Sequence, residues 1–160
     1  MALIYKTENF TVEACDKPHV DRNDGGHIKI SPNIRIFDRQ QLSPKLAIEC
    51  MRLTIVVGEA MTKIMIEHGV DLGRINYQDN GNWSVFKPEG PYFHIHLYGR
   101  AKSAKIQKYG EACSFPLRSK YPEFYEEFKP LNEDDIKDIK TEIEKIFSCE
   151  KNSDFNWGLV

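Results

Sequence analysis

Hydrophobic and polar positions along the chain change period several times, and each period predicts an element. Phe10 to Ala14, His27 to Ser31 and Asn33 to Phe37 alternate with period two, the mark of short strands. The stretch between the first two, Asp16 to Gly26, is polar and rich in turn residues, so it reads as a loop. Ser43-Pro44 then supplies a cap and a first-turn proline. Leu46, Cys50, Leu53, Val57, Ala60, Ile64 and Met65 recur at three- and four-residue spacing up to His68, where Gly69 stops the pattern. A helix of about 25 residues, roughly 37 Å long, is predicted there. Ile48, Met51, Ile55 and Met61 are further apolar positions on it, outside that stripe.

A second block of strands is predicted at Gly73–Gln78, Trp83–Lys87 and Tyr92–Gly99. Asp79-Asn80-Gly81-Asn82 carries a hairpin signal. Residues 102–129 are broken by prolines and read as irregular. Asn132 caps a last helix whose stripe is Ile136, Ile139, Ile143, Ile146 and Phe147. The order strands, long helix, strands, helix predicts an α+β fold with a mostly antiparallel sheet. A single domain over residues 1–147 is expected, with residues 148–160 as a C-terminal tail docked through Phe155 and Trp157.

With 160 residues the chain is long enough for a proper core. A net charge of −2, from 22 basic and 24 acidic residues, gives no global field toward nucleic acid or membrane. No apolar run is long enough to span a bilayer, and the expected location is cytoplasmic. Cys15, Cys50, Cys113 and Cys149 are scattered without a CxxC pair, which suits reduced thiols.

The chemistry concentrates in Tyr92-Phe93-His94-Ile95-His96-Leu97-Tyr98-Gly99-Arg100. In a strand, Phe93, Ile95 and Leu97 face the core while Tyr92, His94, His96 and Tyr98 line the other side. The two imidazoles stand roughly 6.6 Å apart, able to reach one small anion between them. This strand resembles the signature of the histidine triad superfamily, with its middle histidine at His94, its last at His96 and Leu97-Tyr98-Gly99-Arg100 downstream. The first triad position falls on Tyr92, a departure from the pattern. Gly26-His27-Ile28-Lys29-Ile30-Ser31-Pro32 and the helix after Leu42-Ser43-Pro44 extend the resemblance to residues 8–101.

The resemblance implies a nucleotide hydrolase or nucleotidyl transferase. His94 would attack the α-phosphate of a dinucleoside polyphosphate or nucleoside phosphoramidate, through a nucleotidyl-histidine intermediate. His96 would hold the phosphate oxygens or the leaving group, and His27 would join the histidine network. It places Asp16 near the ribose, Gln78, Asn80 or Asn82 against phosphate, and Arg100 near distal phosphates. Tyr92 adjoins the substrate. A twofold homodimer is implied, with no cofactor and no resident metal. Other readings stay open beside it: a nucleotide-binding protein without turnover, or a metal site built from His94, His96 and His27. Asp16 also reads as a turn former, and Arg100, Lys102, Lys105 and Lys108 as a solvated face. His19 and His68 read as surface residues, and Trp83 and Phe86 as core or interface.

Overall fold

The computed structural model describes residues 1–79 and 82–160, with residue 82 described for its backbone only. Five strands form one sheet: β1 (Ala2–Lys6), β2 (Phe10–Ala14), β3 (His27–Pro32), β4 (Leu72–Asp79) and β5 (Ile95–Ala101). Their spatial order is β1-β2-β3-β5-β4, and every neighbouring pair is antiparallel. Helices α1 (Pro44–Glu67) and α2 (Glu133–Phe147) complete an α+β fold, as the pattern predicts.

Opposed residues in an antiparallel pair share a face. Phe10, Val12, Ile28, Ile30 and Leu97 turn inward and pack with Leu53, Val57, Met61 and Met65 of α1 and Ile139 and Ile143 of α2. Each such side chain contributes about 1.5–3 kcal/mol on burial. The other face of the same strands carries His27, Lys29, His96, Tyr98 and Gln78. The helices therefore hold the sheet from behind and leave its polar face to the loops.

Both helix starts follow from their caps. Ser43 accepts from the Leu46 N–H at 3.3 Å, with Pro44 in the first position. Asn132 and Asp135 exchange hydrogen bonds in a capping box before α2.

Two expected strands are not formed. Asn33–Phe37 runs as bends, because the β2–β3 ladder ends at Phe10 and Pro32 and Asn33 turns back to the Thr7 and Glu8 carbonyls. Trp83–Lys87 forms a 3-10 turn over Asn82–Ser84 and then tight turns. Pro88 and Pro91 offer no N–H to a ladder there, and Phe86 is almost fully exposed. The ladder of β5 starts at Ile95, three residues later than expected. The first strand, at residues 2–6, carries no clear alternation; it pairs at the sheet edge with a register shift between Leu3 and Tyr5. Met61 belongs to the main core, whereas Ile48, Met51 and Ile55 stay exposed. The tail docks through buried Asn152 and Leu159, and Arg52 bonds the Asn152 carbonyl and Asp154 carboxylate. Phe155 points outward.

The loop between β2 and β3 is held by close backbone contact. Gly99 donates to the Gly26 carbonyl at 3.0 Å, and Gly25 has φ +133°. A Cβ on Gly99 would collide with the Gly25 carbonyl, a backbone atom that cannot step aside. Gly99→Ala is expected to cost about 3 kcal/mol or more. Urea unfolding measures it, and a loss below about 1 kcal/mol contradicts the packing.

Candidate active site

The site is a row of rings across the polar face. In register, His96 of β5 lies between Lys29 of β3 and Gln78 of β4, and Tyr98 lies between His27 and Asn76. Ring centroids run Tyr92–His94 4.5 Å, His94–His96 4.6 Å and His96–His27 4.8 Å. His19 continues the row at 5.1 Å from His27. Beyond it stand Trp83, Phe115 and Tyr125, at 5.2, 5.5 and 6.0 Å from His19.

Hydrogen bonds assign the ring protons. His94 Nδ1 lies 2.9 Å from the Tyr92 carbonyl oxygen, which only accepts. Neutral His94 therefore carries its proton on Nδ1 and a free lone pair on Nε2. At the other end, the His19 backbone N–H donates to His27 Nδ1 at 3.1 Å. His27 must then be protonated on Nε2, which lies 2.7 Å from His96 Nδ1. That proton occupies the acceptor side of His96 and leaves its Nε2–H as an outward donor. One lone pair and one N–H, on adjacent rings, are what a phosphoryl centre and its oxygens require.

All these rings are neutral near pH 7. Burial drives His96 down to about 3 and His19 to about 4, and holds His27 well below its ordinary value. Burial also lowers His94, and the Lys29 ammonium acts in the same direction. The expected open face is more covered than its alternation suggests: His27, His94 and His96 are 2%, 8% and 7% exposed. The loops pack aromatic rings over the strand pair, a coverage that alternation cannot convey.

The remaining candidates separate clearly. The Gln78 amide oxygen is buried and has no hydrogen-bond partner among the described residues, which leaves it available beside His96. Asp16 is exposed, pairs with the Met1 ammonium, and lines a cavity of about 500 Å³ with Lys17, Pro18, Arg118 and Tyr125. Asn80 lies outside the described residues, as does the side chain of Asn82. Arg100 departs from its expected place at distal phosphates. It is buried, and its Nη2 bonds the carbonyls of Gln107, Lys108 and Glu111 at 3.3, 2.7 and 2.8 Å. A guanidinium committed to carbonyls braces a loop. Lys102, Lys105 and Lys108 are exposed.

His19 is the main residue that sequence reasoning misplaced. The loop carrying it is fixed from a distance. The Asp24 carboxylate accepts from the N–H groups of Lys105, Ile106 and Gln107, each at 2.9 Å. Gln107 Nε2 in turn reaches the His19 carbonyl at 3.2 Å. The one local signal was that apolar Pro18 and Val20 flank His19 in a polar loop; both are buried. Trp83, half exposed, belongs at the same end. His68 is also no free surface residue, since its Nδ1 and Nε2 meet Asp135 and Asp138 at 2.8 and 3.1 Å.

Cys15, His27 and His96 place Sγ, Nε2 and Nδ1 within 4.8 Å of one another. Two imidazole nitrogens on one tetrahedral zinc would stand about 3.3 Å apart. The observed 2.7 Å is a hydrogen-bond distance, so this pair is shaped to share a proton. Burial pushes the Cys15 thiol up to about 12, which keeps it protonated. In the expected metal set of His94, His96 and His27, the His94 Nε2 lone pair is free, but His27 Nε2 and His96 Nδ1 are engaged with each other.

No family model matches the chain, and no curated protein does. Among solved structures it is similar to a zinc-bound histidine triad family protein from Mycobacterium smegmatis, with 18% identity and a TM-score of 0.59. That match covers 92% of this chain and 87% of the other. A hypothetical histidine triad nucleotide-binding protein from Sulfolobus tokodaii matches at 15% identity and TM-score 0.57, over 91% and 85% of the two chains. A Hit-like protein involved in cell-cycle regulation from Bartonella henselae matches at 12% and 0.56, over 88% and 85%. The fold is thus that of the histidine triad proteins.

Proposed function

We propose that this chain is a nucleotide hydrolase or nucleotidyl transferase that cleaves at the α-phosphate through a covalent His94 intermediate, with Tyr92 in the first triad position. The His94 Nδ1–H bond to the Tyr92 carbonyl carries this reading, because it aims an unprotonated Nε2 at the site. The orienting group is main chain, so a tyrosine side chain serves there as well as a histidine. The Sulfolobus protein of the same fold is described as nucleotide-binding, which supports the ligand class.

In the scheme, the Nε2 lone pair forms a bond to the α-phosphorus as the bond to the leaving group breaks. The leaving group departs with the electron pair of the broken bond, and an amine takes up a proton from solvent as it leaves. The ring then carries positive charge, which the Tyr92 carbonyl stabilises through Nδ1–H. His96 Nε2–H donates to a non-bridging oxygen, and the Gln78 amide sits beside it. Water next attacks phosphorus, loses a proton, and frees the nucleoside monophosphate and neutral His94. His27 acts by fixing the His96 proton on Nε2. Asp16 is the candidate for the ribose hydroxyls.

The test is incubation with a dinucleoside polyphosphate and a nucleoside phosphoramidate, followed by mass spectrometry of acid-sensitive adducts. A nucleotidyl group on His94 is expected. Binding of nucleotide with no product over long incubation favours the second reading, a binder without turnover, for which the covered imidazoles speak.

The pH profile follows from the depressed His94. Its lone pair survives below the ordinary histidine value, so kcat/KM stays flat as pH falls through about 6.5 and drops only lower. An acid limb centred at or above that value contradicts the assignment.

A homodimer is part of the proposal. Met51, Ile55 and Tyr77 are exposed along α1 and the open edge of β4. Ile55 and Tyr77, with Gly58, Thr62 and Arg74, line a groove of about 620 Å³ there. Light scattering is expected to give twice the 18.6 kDa chain mass; a monomer at micromolar concentration removes this element. No helix among the described residues is long and apolar enough to cross a membrane.

A further inference from the structure

One charged group on the reaction face has no role in that scheme. Lys29 follows His27 by two residues on β3 and stands opposite His96 in the β3–β5 register, so it shares the polar face. Its side chain is only 8% exposed. Burying an ammonium is costly unless something compensates it. Among the described residues its one ion-pair partner is Glu13, its register neighbour on β2, at 3.4 Å. A tight charge-assisted contact measures about 2.7–2.9 Å, so Glu13 compensates it only in part. An ammonium has three donors, and a loosely held one retains capacity for further oxygens.

The position of Lys29 along the row of rings is informative. Its Nζ lies 6.0 Å from the centre of Tyr92, the ring stacked on His94. The Arg35 guanidinium lies 6.0 Å from the same ring. The row therefore has two unlike ends: the rings of His19, Trp83, Phe115 and Tyr125 at one, with the Arg118 guanidinium 4.0 Å from Tyr125, and Lys29 and Arg35 around Tyr92 at the other. A nucleotide conjugate whose α-phosphorus sits at His94 and His96 can stack its base among the aromatic rings. Whatever leaves the phosphorus then extends toward Lys29. Burial is the main cause of the lowered His94, His96 and His27, and the Lys29 ammonium adds a smaller push in the same direction.

We propose that Lys29 binds the phosphate oxygens beyond the scissile bond and so selects conjugates with an anionic polyphosphate leaving group over those that release an amine. This rests on the nucleotidyl-transfer reading and narrows it. Lys29 is a specificity-determining residue here. It polarises the leaving oxygens and transfers no group.

Lys29→Met and Lys29→Arg are compared with wild type in two assays. In the first, kcat/KM is measured for a dinucleoside tetraphosphate and for a nucleoside phosphoramidate. Lys29→Met is expected to lose about tenfold or more on the polyphosphate and less than about threefold on the phosphoramidate, with Lys29→Arg recovering most of the loss. Equal losses on both substrates, the result of a merely structural Glu13–Lys29 pair, overturn the proposal. In the second, calorimetry follows inorganic tripolyphosphate binding without any turnover. Wild type is expected to bind it, and Lys29→Met to bind it about tenfold more weakly. Tripolyphosphate binding that depends on Lys29 in a protein without turnover upholds the anion site while removing the enzymatic reading. Turnover of polyphosphate with unchanged kinetics in Lys29→Met does the reverse. A wild type that binds no tripolyphosphate overturns the anion site outright.

Discussion

His94→Ala is expected to reduce turnover of a nucleotide conjugate by about 10⁴-fold or more, the scale seen when an attacking group is removed from an otherwise intact site. Nucleotide affinity should change by only a few-fold, since His96, Gln78 and the aromatic end remain. The fold should survive, because the His94 ring lies on the polar face, where it bonds the Tyr92 carbonyl at 2.9 Å and packs on the Tyr92 and His96 rings, outside the apolar core. Single-turnover kinetics with product analysis, run beside a thermal melt, makes the measurement. Activity within tenfold of wild type in a folded His94→Ala protein excludes His94 as nucleophile. The companion His27→Ala separates attack from proton placement. It frees His96 to take either tautomer, so it should lower kcat by a smaller factor while His94 can still be trapped as an adduct.

The largest loss of stability is expected away from the histidines, at Asp135→Ala. Asp135 is fully buried at the start of α2. Its carboxylate accepts from Arg22 Nε and Nη2 at 2.6 and 2.8 Å, from His68 Nδ1 at 2.8 Å and from the Asn132 N–H at 2.9 Å. One side chain thus ties the loop before β3, the end of α1 and the cap of α2. Alanine leaves Arg22 without its partner and breaks the capping box, which together cost about 3–5 kcal/mol. For a chain of this size the melting temperature should fall by about 10 °C. A fall below about 3 °C would show that the network is not coupled to folding.

The same cluster gives stability a pH dependence of two signs. Burial pushes the Asp135 carboxyl up, but the bonds from Arg22 and His68 outweigh it and hold the group below its ordinary value. Its contribution is therefore present above the ordinary carboxylate range and lost as pH falls through the depressed value. His68 is raised by its bond to Asp135, so its contribution is full below the ordinary histidine value and lost as pH rises through the raised one. The buried His27 and His96 and the half-buried His19 act against acid as well: their lowered values mean that protonation below about 6.5 favours the unfolded chain.

Local signals located the long elements and the reactive strand. Ser43-Pro44 and Gly69 bounded α1, Asn132 opened α2, and the alternation at residues 92–99 separated a core face from a chemical face. These succeed because caps and two-residue periods are properties of neighbouring residues. The failures share a different cause. Trp83–Lys87 and Asn33–Phe37 have strand-like composition, but a strand exists only where a partner offers a free ladder, and neither segment has one.

Chain order alone determined that a helix-backed antiparallel sheet would present His94 and His96 on one side, since backbone geometry and apolar spacing act over a few residues. The bond that frees the His94 lone pair is local, to the Tyr92 carbonyl two residues away. Tertiary structure decided the rest: the outward N–H of His96 and the loop that brings His19 to His27 depend on hydrogen bonds set by loop closure and strand register. So does the placing of Lys29 beside Tyr92. Contacts between residues tens of positions apart are fixed by the packed whole, and no short window of sequence contains them.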